Sequence, residues 1–191
     1  MTTVLRPALV LFAVLTALTG LLYPLLVTGI AQWVFPQQAA GSLVLQGGKV
    51  LGSSLIGQSF SDPKYFWGRP SATSPMANNA SASSGSNLGP LNPALTDAVK
   101  GRIAALRAVD PGNRAPVPVD LVTTSGSGLD PDISIAAAVY QAGRIAGLRG
   151  LPLPQVQALI AQHSQGPLLG LIGEPRVNLL ALNLALDAKP L

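Results

Sequence analysis

The chain has 191 residues, a formal net charge of +4, only 10% charged side chains and no cysteine. Without cysteine there are no disulfides, thiolate metal sites, cysteine nucleophiles or cysteine-linked lipid anchor. The basic residues never cluster and are not interleaved with aromatics, so nucleic acid is not an expected partner.

No charged side chain occurs from Pro7 to Gly48, and Ala8 to Val34 is predominantly apolar. A hydrocarbon core of about 30 Å needs roughly 20 helical residues, so this run is long enough to cross a bilayer with tilt or a kink. Arg6 lies on one flank, and the other has no cation until Lys49. Because cations near a span stay inside, residues 1–7 are expected in the cytoplasm, 8–34 as the transmembrane helix, and 35–191 as an extracytoplasmic, periplasmic-side domain. Trp33 and Phe35 stand where an interfacial aromatic anchor is expected. A cleavable signal peptide is the competing reading, but signal h-regions are about 7 to 15 residues and this run is much longer.

Within the span, Ala13, Thr16, Ala17 and Gly20 recur at i, i+3, i+4 and i+7, with Pro24, Thr28 and Ala31 continuing roughly the same face. Small residues on one stripe let a second helix approach closely, so this face, with Tyr23 and Pro24, is the expected partner-helix packing surface. Pro24 removes a backbone donor deep in the span and predicts a kink there.

Beyond Pro36 the pattern predicts a β-hairpin, Ser42 to Gln46 and Lys49 to Ile56 about Gly47-Gly48. Asp62-Pro63 predicts a helical turn over Lys64 to Trp67. Residues 71–90 are a Ser/Asn/Gly-rich loop with too little apolar surface to order itself by burial. Asn92-Pro93 opens a helix whose apolar face is Leu95, Ala98, Val99, Ile103 and Leu106. Val119 to Thr123 reads as a short strand and Ser125 to Gly128 as a tight turn. A second helix begins at Asp130-Pro131 or at Ser134, with Ile135, Val139, Ala142 and Ala146 as its apolar face and Gly150 as its stop. A third fits Gln155 to His163. A fourth fits Pro175 to Asp187, although Val177 to Leu186 also satisfies a strand period. The expected fold is α+β: one N-terminal transmembrane helix, then a mixed α/β extracytoplasmic domain with a hairpin and about four helices.

Catalytic constellations are sparse. His163 is the only histidine, too few ligands remain for zinc, and Asp130 with Asp132 lacks the further oxygens of a calcium loop. A membrane-anchored exported hydrolase using Ser125 or Ser127 with His163 is the alternative function, although neither serine sits in a Gly-x-Ser-x-Gly elbow. The Ser125 to Gly128 turn, running toward a helix start, could also offer backbone donors to an anion. Gln141 and Arg144 share a helix face at i and i+3, the spacing of a contact surface.

Several segments together carry a resemblance. They are Thr19-Gly20 with Tyr23-Pro24, Gly52-Ser53 with Leu55-Ile56-Gly57-Gln58 and Phe60, Gly68-Arg69-Pro70-Ser71-Ala72, and Ser86-Asn87-Leu88-Gly89-Pro90 with Asn92-Pro93. Asp120-Leu121-Val122-Thr123 leads into Ser125-Gly126-Ser127-Gly128-Leu129-Asp130-Pro131, and Gly173-Glu174-Pro175-Arg176-Val177-Asn178 is followed by Leu182-Asn183. In this order they resemble the C subunits of the Kdp potassium-transporting ATPases over nearly the whole chain. The resemblance implies a non-catalytic, single-span subunit of the bacterial inner membrane. Its implied partners are a channel-like potassium-binding subunit, a P-type ATP-hydrolysing subunit and the lipid bilayer. ATP and potassium are then handled by the complex, with no cofactor expected on the chain itself. It also implies an accessory role in raising ATP affinity, in which Ser125, Gly126, Ser127 and Gly128 with Gln141 are similar to the region implicated. The charge asymmetry about the span opposes direct contact with a cytoplasmic nucleotide, because it puts that region outside.

Overall fold

The computed structural model describes residues 2–189. It falls into two compact units, the first ending at Leu51 and the second beginning at Gly52.

The first unit is dominated by one long helical rod, α1 (Thr2–Ala17), a π-helical turn (Leu18–Leu22) and α2 (Tyr23–Val34). Within Thr3–Val34 the most apolar 18 residues have a mean hydropathy of 2.3, and none of that stretch is buried by the rest of the chain. At 1.5 Å per residue the rod is about 50 Å long, more than a hydrocarbon core requires. The π turn lies immediately before Pro24, with the Tyr23 N–H donating to the Leu18 carbonyl. A proline cannot donate to the preceding turn and its ring crowds that turn's carbonyl. The wider turn is where the helix accommodates it. Thr19 Oγ1 donates to the Leu15 carbonyl at 2.7 Å, occupying another backbone acceptor beside the distortion.

A short helix, α3 (Pro36–Ala39), leads to the hairpin of β1 (Leu43–Gln46) and β2 (Lys49–Ser53). Gly47 and Gly48 both have positive φ, 57° and 78°, as a type I′ turn requires.

The second unit is built on two strand-to-helix joints facing each other. After α4 (Pro93–Val109), β3 (Asp132–Ser134) runs directly into α5 (Ile135–Arg149). Then follow α6 (Leu153–His163), β4 (Ser164–Gln165), β5 (Arg176–Asn178) and α7 (Leu179–Asp187), again with no residue between strand and helix. The sheet is antiparallel in the order β3-β5-β4, with Ile133 opposite Val177. Both side chains point into the core, which α5, α6 and α7 complete with Ala137, Ile145, Val156, Ile160, Leu182 and Leu186.

The helix ends follow local chemistry. Asn92, Ser134 and Asn178 are N-caps whose side-chain oxygens accept from Ala94, Ala137 and Ala181 N–H. Gly150 ends α5, and the Leu151 N–H returns to the Ala146 carbonyl at 3.0 Å.

Four expectations are corrected. Val119 to Thr123 is not a strand: Val119–Leu121 is a 3-10 turn, made by Leu121 N–H on the Pro118 carbonyl and Val122 N–H on the Val119 carbonyl, and Thr123 adds its N–H and hydroxyl to the same Val119 carbonyl. Asp130 does not cap α5; its carboxylate takes Arg69 and the Asp132 N–H, and Ser134 is the cap. The segment 175–187 is neither all helix nor all strand, because the Asn178 cap divides it into β5 and α7. Of the expected α5 face, Ala142 and Ala146 are buried and Ile135 packs against the core, but Val139 is 49% exposed while Gln141 and Arg144 are buried, so the covered side of α5 is wider than its apolar spacing marked.

Candidate functional site

The small-residue stripe of the span is fully available. Ala13, Thr16, Ala17, Gly20, Tyr23 and Pro24 are all exposed, and a Cβ built on Gly20 would meet nothing within 4 Å. Around the π turn, Leu18, Thr19, Leu22, Tyr23 and Leu26 line a shallow apolar groove. Leu18, Leu22 and Leu26 recur at i, i+4 and i+8, away from the stripe, so the rod offers two separate faces to a neighbour.

The Ser125 to Gly128 turn is stitched to the Ser/Asn/Gly-rich loop. Ser125 N–H donates to the Pro70 carbonyl, and the Ser127 carbonyl accepts from the Ser84 N–H and from Ser83 Oγ. Ser71 Oγ donates to the Gly128 carbonyl at 2.7 Å, and Ser86 Oγ lies 2.9 Å from Thr124 Oγ1. The order of residues 71–90 thus comes from polar bonds to this turn, which its composition does not reveal. Gly128 has φ +69°, and a Cβ there would meet the Ser84 carbonyl oxygen and Thr73 Cγ2, both at 2.6 Å. Only glycine fits that crossing.

The turn does not open a helix, because β3 intervenes, and the N–H groups of Ser125, Gly128 and Leu129 are already engaged. Ser125 Oγ is buried without a hydrogen-bond partner, and Ser127 Oγ accepts from Leu129 N–H. Among the described residues no hydrogen bond joins either serine to His163, which closes α6. The Ser–His hydrolase reading is not supported: the base is not in hydrogen-bond reach of either nucleophile.

Gln141 and Arg144 are brought together, but in the interior. Gln141, 1% exposed, accepts from Trp67 N–H at 2.8 Å through Oε1 and donates through Nε2 to the Trp67 carbonyl at 3.0 Å. Asn183, also 1% exposed, does the same one residue earlier: Oδ1 accepts from Phe66 N–H at 2.9 Å and Nδ2 donates to the Phe66 carbonyl at 3.0 Å. Two carboxamides, one from α5 and one from α7, thus satisfy four backbone groups of a segment that lies across the helices with no strand beside it. The expected helical turn over Lys64 to Trp67 is instead a single hydrogen-bonded turn over Asp62 to Tyr65, closed by Tyr65 N–H on the Asp62 carbonyl, because residues 66 and 67 are held extended by these amides.

Arg144 completes the cluster. Its Nη2 donates to Gln141 Oε1 at 2.8 Å and to the Tyr65 carbonyl at 3.2 Å, and its guanidinium lies 5.1 Å from the Trp67 ring centre. Burial lowers the Arg144 pKa, opposed by the more distant charges of Asp110 and Asp62. Nη1 is buried without a partner, so Gln141, the Tyr65 carbonyl and the Trp67 face are what hold this cation.

The roles of Asn183 and Asp120 emerge only from their contacts. Asp120 accepts from Ser134 N–H at 2.8 Å and Ser134 Oγ at 3.1 Å, buttressing the α5 cap. The one available signal for Asn183 is a lone carboxamide in an otherwise apolar helix. At the far end of the segment, Arg149 pairs with Asp187 at 2.7 Å, donates to the Lys64 carbonyl and stacks on Tyr65, whose hydroxyl also reaches Asp187. An adjoining cleft of about 240 Å³ is lined by Gln58, Trp67, Arg69, Arg102 and Leu121. It falls below the roughly 300–1,000 Å³ of small-molecule sites.

The family model "K+-transporting ATPase, c chain" matches residues 5–188. Three similar proteins are each described as a potassium-transporting ATPase KdpC subunit. That of Variovorax paradoxus is 74% identical over 98% of this chain and 97% of its own length. Those of Polaromonas naphthalenivorans and Herminiimonas arsenicoxydans are 71% and 66% identical, covering 98% of this chain and 96% and 98% of their own. With a family match from end to end and identities this high, the chain belongs to the KdpC family, the c chain of the K+-transporting ATPase.

Proposed function

We propose that the chain is the non-catalytic accessory subunit of a high-affinity, ATP-driven potassium uptake complex and serves its assembly and modulation. The carrying observation is a full-length family match on a chain whose apolar rod is left entirely uncovered by its own fold. In this reading the span docks in the inner membrane through Ala13, Thr16, Ala17, Gly20, Tyr23 and Pro24. The channel-like potassium-binding subunit and the P-type ATP-hydrolysing subunit are its partners.

The N-terminus is assigned to the cytoplasm and the 35–191 domain to the outside, on the strength of Arg6 and the uncharged far flank. Cysteines at Thr3 and Ser83, both exposed, test this with an impermeant thiol reagent added from outside. Labelling of Thr3→Cys but not Ser83→Cys reverses the topology. Gly20→Leu tests the docking face: it clashes with nothing in the chain itself, so lost co-purification reports on a partner, and full co-purification removes the stripe from the interface.

For the ATP-linked role that family resemblance suggests at Ser125 to Gly128 with Gln141, we propose an indirect route. The Gln141 amide is committed to the Trp67 backbone and to Arg144, so its contribution passes through the fold of the domain.

A further inference from the structure

The cleft beside Trp67 carries an unbalanced charge. Its only ionisable lining residues are Arg69 and Arg102, and no acidic side chain lines it. Arg69 is paired, its Nη1 lying 2.8 Å from Asp130, although its Nε is buried without a partner. Arg102 has no such pairing. Among the described residues no carboxylate forms an ion pair with it, and the chain gives its guanidinium a single hydrogen bond, Nη1 to the Val122 carbonyl at 2.7 Å. Burial lowers the Arg102 pKa, and no acidic group offsets that effect. A guanidinium has five N–H donors in a planar fork, so an anion entering this cleft meets donors to spare and no competing carboxylate on Arg102.

The remaining walls decide which kind of anion fits. Phe60, Trp67, Pro70, Leu106 and Leu121 set ring and aliphatic surface around the two cations. The hydroxyls of Ser59 and Ser71, also in the lining, are hydrogen-bonded to Asn78 and to the Gly128 carbonyl. A phosphate or sulfate needs water or polar donors around every oxygen, and walls of this composition supply few. A carboxylate has only one charged edge: its two oxygens match the guanidinium fork, and the hydrocarbon behind them can lie against the apolar walls. At about 240 Å³ the cleft is too small for a drug-sized molecule, which limits the stem to a few carbon atoms.

We propose that this cleft is a binding site for a small monocarboxylate, its acid group held by Arg102 with Arg69 beside it and its short hydrocarbon stem against Phe60, Leu106 and Leu121. The site lies wholly within the second unit and does not depend on the assembly reading above.

The test uses the full chain in a nonionic detergent and a Trp33→Phe background, in which Trp67, itself a lining residue, is the sole tryptophan. Butyrate is the probe; butyramide, its uncharged isostere, and inorganic phosphate are the controls, all at one ionic strength. Butyrate is expected to change Trp67 emission saturably and to raise the melting temperature. Both controls should bind at least about tenfold more weakly. Arg102→Gln should weaken butyrate by roughly tenfold or more, the loss of one charge-assisted interaction. Because that change also alters the bond to Val122, Ala105→Leu serves as a second variant. Ala105 is an exposed residue of α4 at the cleft wall, so the added bulk should abolish the butyrate response while the ligand-free melting temperature stays at that of the parent. An equal response to butyramide, or a butyrate response left intact by both variants, overturns the site. Phosphate binding as tightly as butyrate overturns the monocarboxylate assignment.

Discussion

Replacing Gln141 by alanine leaves the Trp67 N–H and the Trp67 carbonyl without a partner and reduces Arg144 Nη2 to its bond with the Tyr65 carbonyl. Each neutral group stranded in this way costs about 1 to 3 kcal/mol, and a lost hydrogen bond to a charged group costs about 1.5 to 3 kcal/mol. Trp67 is only half-buried, so the lower end of the range applies to it and the sum is roughly 3 kcal/mol. That is a large share of the 5 to 15 kcal/mol typical of a folded domain. With a urea slope of about 1 to 3 kcal/mol/M, the denaturation midpoint should fall by about 1 to 3 M. Trp67 fluorescence in a Trp33→Phe background, on the full chain in mild detergent, reads the transition. Gln141→Glu should lose less than Gln141→Ala, because a carboxylate still accepts from Trp67 N–H and pairs with Arg144, forfeiting the bonds to the Trp67 and Ala137 carbonyls. If Gln141→Ala holds its midpoint within about 0.3 M while shifting the ATP dependence of the assembled complex, the amide is not a backbone clamp and the nucleotide-linked assignment gains instead.

Asn183→Ala strips Phe66, which is wholly buried, of both backbone partners. It should therefore destabilise by roughly 3 kcal/mol in the same urea assay; an effect below about 0.5 kcal/mol contradicts the paired-clamp description. In the Gly/Ser turn, Gly128→Ala should destabilise strongly, whereas Gly126→Ala meets nothing within 4 Å and should be neutral; equal tolerance at both sites, read by thermal melting, removes the crossing-point explanation. Asp132 supplies a pH test. Burial pushes its carboxyl above the ordinary range, against the opposing pull of Asn178 and Arg176. The folded state then holds this proton more tightly than the unfolded chain, so the stabilisation it confers is present at low pH and lost as pH rises through the raised value. Between about pH 3 and 7 the stability of wild type should fall relative to Asp132→Asn; a constant or opposite difference refutes the sign.

Much of the fold was legible before any coordinates, where the signal is local. A 42-residue chain segment without charge, Pro7 to Gly48, admits few readings, and Gly47-Gly48, Asn92-Pro93, Ser134 and Gly150 announced a hairpin, two helix starts and a stop. The apolar face of α4 is the one its spacing predicted, with Leu106 buried and Val99 and Ile103 packed beside the core. The three-residue strands were invisible because two or three residues carry no periodicity, and Val119 to Thr123 looked like a strand because β-branched composition says nothing about whether a neighbour is present.

The candidate site was less legible, and the reason is the same. Gln141 and Arg144 stand at a helical spacing that fits a surface, and sequence has no means of knowing that residues 64–67 would be laid over them. An apolar run long enough to span a bilayer, the family, the hairpin and several helix starts and stops are properties legible along the chain and were determined by the sequence alone. Tertiary structure decided that Gln141 and Asn183 face the backbone of Phe66 and Trp67, residues more than seventy positions away. It also decided that the 71–90 loop is tied to the Ser125 to Gly128 turn, and that Arg69 and Arg102, distant in sequence, line one cleft. A side chain's partner across such distances depends on where the whole chain folds back, and no local pattern encodes it.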